Sequence, residues 1–453
     1  MPNESESLLR AQFDQSAGQP IDDAKLPERS EGEDSCQTNP NHSCRSLRLL
    51  AAPGHPWTSS RTPLHIPFAD CYLAHQADQE AIVKQLLPHI LLTVASLTGL
   101  VAPAAADDTD LQYQLYLDAG YVGANREPED HDWQGKSTTR KLNEANVNLA
   151  MANLWKAAST DSRWGFELGV QAGEDSKGLV PPPEAIPASN ADELRHLYRA
   201  NVSYLLGKTG ALKIGGGLFR SYIGHESFLA AENPNYSRAY ITDAIPYFLT
   251  GVAAEWEVSK VVDLGFYVVN GFNHLADPNN KPSYGLQGKF GLTDRTIFTQ
   301  NFYYGPDQEE TDQKYWRFYS NSIIEWESER LKLAASFDFG NEKQADLPDE
   351  PRAEWANTTI WIDWTVNDKM SLGLRPEYHK DTDGALTGNK QTIKALTGTL
   401  KYEWLPPGNR IVTMLEARYD RSTGEEGGFP DENGQVAEDQ VAILAGFIWS
   451  FTR

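Results

Sequence analysis

Only three cysteines occur in 453 residues, Cys36, Cys44 and Cys71, so beyond them the chain has neither a disulfide framework nor thiolate chemistry. Long apolar runs are also scarce. One extends from Leu86 to Val101, and Pro88, Gly99 and Pro103 interrupt it too often for a membrane-spanning helix. Basic residues are outnumbered, 40 Lys and Arg against 63 Asp and Glu, which argues against nucleic acid as a partner. Catalytic signatures are missing too: there is no G-x-S-x-G elbow and no phosphate loop. The five histidines beyond residue 106, His131, His196, His225, His274 and His379, show no metal-ligand spacing. Adjacent His225 and Glu226 are a weak catalytic signal, and the Asp-rich stretches 381–384 and 431–434 read as ordinary turns rather than calcium loops. No catalytic residue, cofactor or metal ligand is therefore expected.

What is there begins with an export signal far inside the chain. Lys84 supplies a positive flank, Leu86 to Val101 an apolar stretch, and Ala104-Ala105-Ala106 the small residues that precede a cleavage site before Asp107. Residues 83–106 are thus expected to be a signal peptide. Residues 1–82, rich in Ser, Pro, Glu and Asp and lacking any helical or strand period, read as a disordered leader. Because such a signal acts from the first residues made, the expected start is Val83 and the leader a misassigned one. The remaining 107–453 carries 51 acidic and 33 basic residues and eleven of the twelve tryptophans.

From Asp107 onward apolar and polar residues alternate with period two over nine to twelve residues at a time. Between Trp355 and Thr365 one face holds Ala356, Thr358, Ile360, Ile362 and Trp364, and the other Asn357, Thr359, Trp361, Asp363 and Thr365. Leu331–Phe339, Met370–Tyr378 and Leu396–Trp404 divide the same way, with the charges on one face. A soluble sandwich would bury its apolar face against a second sheet and keep charge on a solvated exterior. Ten-residue strands free of charge on one side and flanked by aromatics instead match a membrane barrel with a polar interior. The linkers between these segments alternate short and long, as periplasmic turns and external loops do. Seven turns and eight loops predict an all-β, transmembrane antiparallel up-and-down barrel of about sixteen strands over 107–453, in a bacterial outer membrane. The last strand, Val441–Phe451, places Val441, Ile443, Ala445, Phe447, Trp449 and Phe451 on one face. It resembles the terminal signal read by the barrel assembly machinery, although Thr452 and Arg453 follow the Phe.

The centre of the chain carries Gly217-Leu218-Phe219, Ile223-Gly224-His225-Glu226, Asn233 to Ser237, Pro246, Thr250-Gly251 and Asn270-Gly271-Phe272-Asn273. On these motifs the chain resembles the OmpL-like family of β-barrel porins over about Leu111 to Phe451. The resemblance implies an outer-membrane channel without naming a solute.

The longest connection, Arg220 to Ile245, is the candidate pore constriction, through Arg220, Glu226, Glu232, Asn233, Asn235, Arg238 and Asp243. With apolar Phe228-Leu229-Ala230-Ala231 it can fold inward against the wall, or it can stay outside as a solvated loop. Alternation places Asp118, Asp263, Arg317, Glu325, Lys332, Asp338, Asp363, Arg375, Glu377, Lys401, Glu403, Glu416 and Arg418 on the lumen side. This mixed lining, with acids ahead, suits passive diffusion of small polar solutes with a weak lean towards cations. Expected partners are outer-membrane lipid, lipopolysaccharide and the assembly machinery; monomer and homotrimer stay open. A non-conducting surface or adhesion barrel, its acidic loops bridged by divalent cations, is the alternative.

Overall fold

The computed structural model describes residues 111–179, 194–308, 311–345, 347–405, 408–424 and 427–453; the expected leader and signal peptide lie outside these described residues. Sixteen strands make up the wall. They are β1 (Gln112–Ala124), β2 (Ala145–Lys156), β3 (Trp164–Ala172), β4 (Leu197–Leu206), β5 (Leu212–Arg220), β6 (Phe248–Ser259), β7 (Val262–Val269) and β8 (Ser283–Thr293). Then follow β9 (Thr296–Pro306), β10 (Trp316–Glu327), β11 (Leu331–Lys343), β12 (Arg352–Asn367), β13 (Met370–Asp381), β14 (Gln391–Glu403), β15 (Asn409–Thr423) and β16 (Asp439–Thr452). Each pairs antiparallel with the next, and β16 pairs with β1, Gly446 opposite Gly120, so the sheet closes. Closure is what the bilayer requires, because an unpaired strand edge in hydrocarbon would leave its peptide groups without partners.

The period-two pattern sets which way each side chain points. On β11, Phe337 faces outward and is 56% exposed while its neighbour Asp338 faces inward and is 1% exposed. Cross-strand partners share a face: Lys332 lies opposite Asp363, Asp338 opposite Asn357, and Thr359 opposite Glu377. The apolar exterior meets lipid and the polar side chains meet the lumen, the inverse of a soluble core.

Linkers alternate as expected, the shortest turns being two residues, at 260–261, 294–295 and 368–369. β5 runs one residue further than the alternation suggested and β6 begins two residues later, so the third external loop spans 221–247 and Arg220 is the last residue of β5. Among the described residues two short α-helices lie in the loops, α1 (Glu174–Lys177) in the second and α2 (Tyr240–Ala244) in the third.

Candidate functional site

The third loop lies against the inner wall. Its first contact is made by Tyr222, whose ring stacks on Tyr267 of β7 at 4.1 Å between centroids and whose hydroxyl donates to the Phe302 carbonyl of β9 at 2.8 Å. Gly224 N–H then donates to Asn321 of β10 at 3.2 Å. Further along, Phe228, Leu229, Ala230 and Ala231 are buried in one apolar cluster with Tyr116 of β1, Val412 and Met414 of β15 and Ile448 of β16. Removing large side chains of this kind from water stabilises by roughly 1.5–3 kcal/mol each, enough to hold a loop inside rather than out.

Close approach is made possible by glycines that face the lumen. Gly120 and Gly446, paired across β1 and β16, leave a hollow in which the Tyr236 ring sits. A Cβ at Gly120 would stand 2.1 Å from the Tyr236 hydroxyl, and one at Gly446 would stand 2.4 Å from its Cε2. Gly373 of β13 likewise receives the Pro234 carbonyl, and Gly285 of β8 the Tyr222 hydroxyl. Glycine weakens a strand interior, so its presence at these inward positions marks where another segment comes close.

Charge does the rest. Glu226 takes Arg375 Nη1 at 2.8 Å on one carboxylate oxygen, and on the other the Ala239 N–H at 2.8 Å and the Thr242 hydroxyl at 2.6 Å. Arg375 and Arg418 both hold Glu377 at 2.9 Å, Arg418 reaches Asp420 at 2.8 Å, and the Tyr240 N–H donates to Glu377 at 2.8 Å. Glu416 accepts the backbone N–H of Tyr236 at 2.7 Å and of Ser237 at 3.1 Å. Lys401 donates to the carbonyls of Ala231 at 2.7 Å and Asn233 at 3.2 Å, and Asn235 to Thr399 at 2.7 Å. Side chains in the Glu226–Arg375–Glu377–Arg418–Asp420 chain are at most 2% exposed. Charges so buried are tolerable only when paired, and here each has an ionic partner, while Arg418 Nη2 and Asp420 Oδ2 have no further hydrogen bond among the described residues.

The other end of the loop is tied to the first external loop. Asp243 pairs with Lys136 and accepts from Ser137 Oγ at 3.0 Å, Thr138 N at 3.1 Å and Tyr247 Oη at 2.9 Å. Burial alone would raise the Asp243 carboxyl, but Lys136 and these donors hold it below the ordinary range. Burial lowers Lys136, with Asp243 opposing. Asp175 of α1 accepts the Thr139 N–H at 2.7 Å and lies 4.0 Å from Arg238; burial pushes its carboxyl up to about 7 against the pull of that guanidinium.

Of the seven loop residues singled out from the sequence, Glu226, Asn233, Asn235, Arg238 and Asp243 enter the buried contact. Glu232 is exposed, accepting from Ser227 Oγ at 2.6 Å, and Arg220 is exposed at the end of β5. The thirteen wall residues all fall on the lumen side of the register, in three places. Arg375, Glu377, Lys401, Glu416 and Arg418 touch the loop, and Asp118 accepts from Tyr236 Oη at 2.7 Å. Arg317 pairs with Asp307 at 2.6 Å and Glu342 at 3.0 Å, and Asp338 accepts from Tyr319 at 2.7 Å. Asp263, Glu325, Lys332, Asp363 and Glu403 are exposed or half-exposed towards the short turns, with Glu325 3.1 Å from His225. Lys136, Asp175, Tyr236 and the wall glycines were not anticipated; only the inward glycines carry a sequence signal. Among the described residues no group of three or more His, Cys, Asp or Glu is placed to hold a metal ion.

The family profile described as "Putative beta-barrel porin-2, OmpL-like" matches residues 110–451. No curated protein matches the chain. Among solved structures, an anion-selective porin from Comamonas acidovorans aligns at 8% identity and TM-score 0.48 over 76% of this chain and 99% of its own. The outer-membrane channel DcaP of Acinetobacter baumannii aligns at 12% identity and TM-score 0.47 over 78% and 100%, and OmpT of Vibrio cholerae at 10% and 0.44 over 77% and 100%.

Proposed function

Because the chain belongs to the OmpL-like family of β-barrel porins, and is thus a bacterial outer-membrane porin, we propose that it passes small polar solutes and ions by diffusion through a lumen narrowed by its third loop. The observation that carries this reading is the seat of residues 222–240 against the inner wall, fastened by Glu226, Tyr236 and Arg375. The wall left exposed towards the short turns carries Asp263, Glu325, Asp363 and Glu403 against Lys332, which keeps the lean towards cations. Deleting Ser227 to Tyr236 should leave a stable barrel and raise both single-channel conductance and the size cutoff for sugars in a liposome-swelling assay. An unchanged cutoff in a folded deletion variant would move selectivity to Arg317, Arg375, Lys401 and Arg418.

A second reading, the non-conducting surface barrel, is favoured by the complete burial of the ionic contact between loop and wall. Planar-bilayer recording separates the two, since a plugged barrel gives no current steps.

The outer face of β3 to β8 is dented, a concavity of about 940 Å³ lined by Val202, Ile214, Val252, Phe266, Val268 and Tyr284. The strands there are short, eight residues in β7 against sixteen in β12. Tilted as barrel strands are, eight residues reach about 20 Å, less than the roughly 25 Å apolar band of such barrels. A second copy covers such a wall better than lipid does. We therefore assign this face to a homo-oligomer interface; a monomer by light scattering in detergent, unchanged by Val252→Arg, would overturn it.

A further inference from the structure

We infer that the external rim of β13 to β15 binds a phosphate group of lipopolysaccharide, held by Lys380 and Lys394 with Arg421 beside them. The site lies on the outside of the wall and is independent of conduction.

Each of five successive strands, β11 to β15, carries a basic side chain on its outward face near the external end: Lys343, Arg352, Lys380, Lys394 and Arg421. Their faces follow from register. Lys343 lies opposite Arg352, Lys380 opposite Ala356, and Lys394 opposite both Tyr378 and Arg421. On β7 to β9 the outward residues at the same end are Val268, Tyr284 and Tyr304, none of them charged. The cations are thus gathered on one arc, away from the dented face. Their height is set by tyrosines. Tyr378 and Tyr419 face outward at the level where aromatic residues mark the membrane interface, and Lys380 and Arg421 stand two residues further out, about 6–7 Å along the strand. That is where lipid headgroups begin, and the lysine stems can lie on the apolar wall while their ammonium groups meet them.

The pairing within the arc shows where an anion is wanted. Lys343 holds Glu350 at 2.6 Å, and Arg352 lies 3.7 Å over the Trp316 ring and donates to Asn341 at 2.5 Å. Arg421 faces Asp439 across β16 and reaches Glu438 at 3.2 Å, but Arg421 and Glu438 are both more than half exposed, and such a pair contributes little. Lys380 and Lys394 make no ion pair among the described residues. Glu354, the one acid on the outward faces of β11 to β15, lies diagonal to Lys380 without pairing with it. Lys394 nevertheless stands directly opposite Arg421 and diagonally across from Lys380, about 5 Å and 7–8 Å apart at Cβ. Like charges so placed destabilise a strand pair unless an anion lies between them. At this height in the external leaflet the anion is the phosphate on the glycolipid headgroup, whose several oxygens can accept from two ammonium groups and a guanidinium together.

The test uses the purified barrel in detergent at about 0.15 M salt, with lipid A, lipid A stripped of phosphate, and phosphatidylglycerol as probes, and binding read by native mass spectrometry. Lipid A should bind the unmodified barrel. Lys380→Gln, Lys394→Gln and Arg421→Gln together should weaken it about a hundredfold, since each cation near an anionic surface contributes about fivefold. Stripping the phosphates should cost as much on the unmodified barrel and nothing further on the triple variant. Lys208→Gln with Lys260→Gln, in short turns at the opposite end of the wall, should leave binding unchanged. Equally tight binding by the folded triple variant would refute the site, and equal binding of phosphatidylglycerol or of phosphate-free lipid A would refute the ligand. Should the triple variant fail to fold, the phosphate-free lipid on the unmodified barrel and the single change Lys394→Gln, expected to cost about fivefold, decide the matter.

Discussion

The third loop meets the barrel on two sides that differ in kind. Towards β13 to β16 and β1, Tyr236, Ser237 and Glu226 have their polar groups matched by Asp118, Glu416 and Arg375. Towards β11 to β13, Asn357 and His379 have no such match. Both contacts are buried, so burial does not distinguish them; ionic pairing does. A matched ionic contact holds its geometry, because breaking it strands a charge in a dry place. An unmatched neutral contact resists opening far less, because water on either side of it is an improvement.

The sharpest way to break the comparison is to unmatch the anchored side. Arg375→Ala leaves Glu226 and Glu377 buried with reduced counter-charge, a change that costs about 3–5 kcal/mol at a buried pair. The loop should leave the wall, seen as protease cleavage within 222–240 and a larger conductance. Nearly as large an effect is expected on the outer face of the strand that carries Asn357. Ile362→Arg should cost about 2–4 kcal/mol near mid-bilayer and lower folded yield, while Asp363→Arg next to it should fold and change conductance. Equal yields would show that the register is off by one. Gly446→Val fills the hollow under Tyr236 and should cost about 1–3 kcal/mol by overpacking, measured as a lower midpoint in urea, whereas Gly398→Ala, with open space at its Cβ, should be silent.

A further prediction concerns pH. The Asp175 carboxyl, pushed up to about 7 in the folded protein from an ordinary value near 4, binds its proton more tightly when α1 is docked. Its contribution is therefore complete below about pH 4 and is lost as pH rises through 7. Protease protection of residues 132–142 should weaken between pH 5 and 8, and Asp175→Asn should flatten that dependence.

Much of this was legible in the sequence because strand periodicity is local. Ile362 and Asp363 differ in character at adjacent positions, and that contrast repeated over sixteen strands decides both the closed barrel and the inward set. The family motifs around Gly217 and Asn270 pointed to the same architecture. The loop's seat was harder to read, since its partners are far apart in the chain: Tyr236 meets Glu416, and Asp243 meets Lys136. The inward and outward readings of residues 220–245 therefore stood equal on pattern alone. Glycines at 120, 285, 373 and 446 hinted at a close approach without saying which segment approaches.

The hollow under Tyr236 also orders events in time. Half of it belongs to β1, the first strand made, and half to β16, the last. Until those two strands meet, the hollow does not exist, so the segment around Tyr236 waits through the synthesis of eleven further strands before its seat is complete. The loop's seat is thus completed only by closure of the barrel, and a barrel arrested before β16 meets β1 would offer Tyr236 half of its hollow.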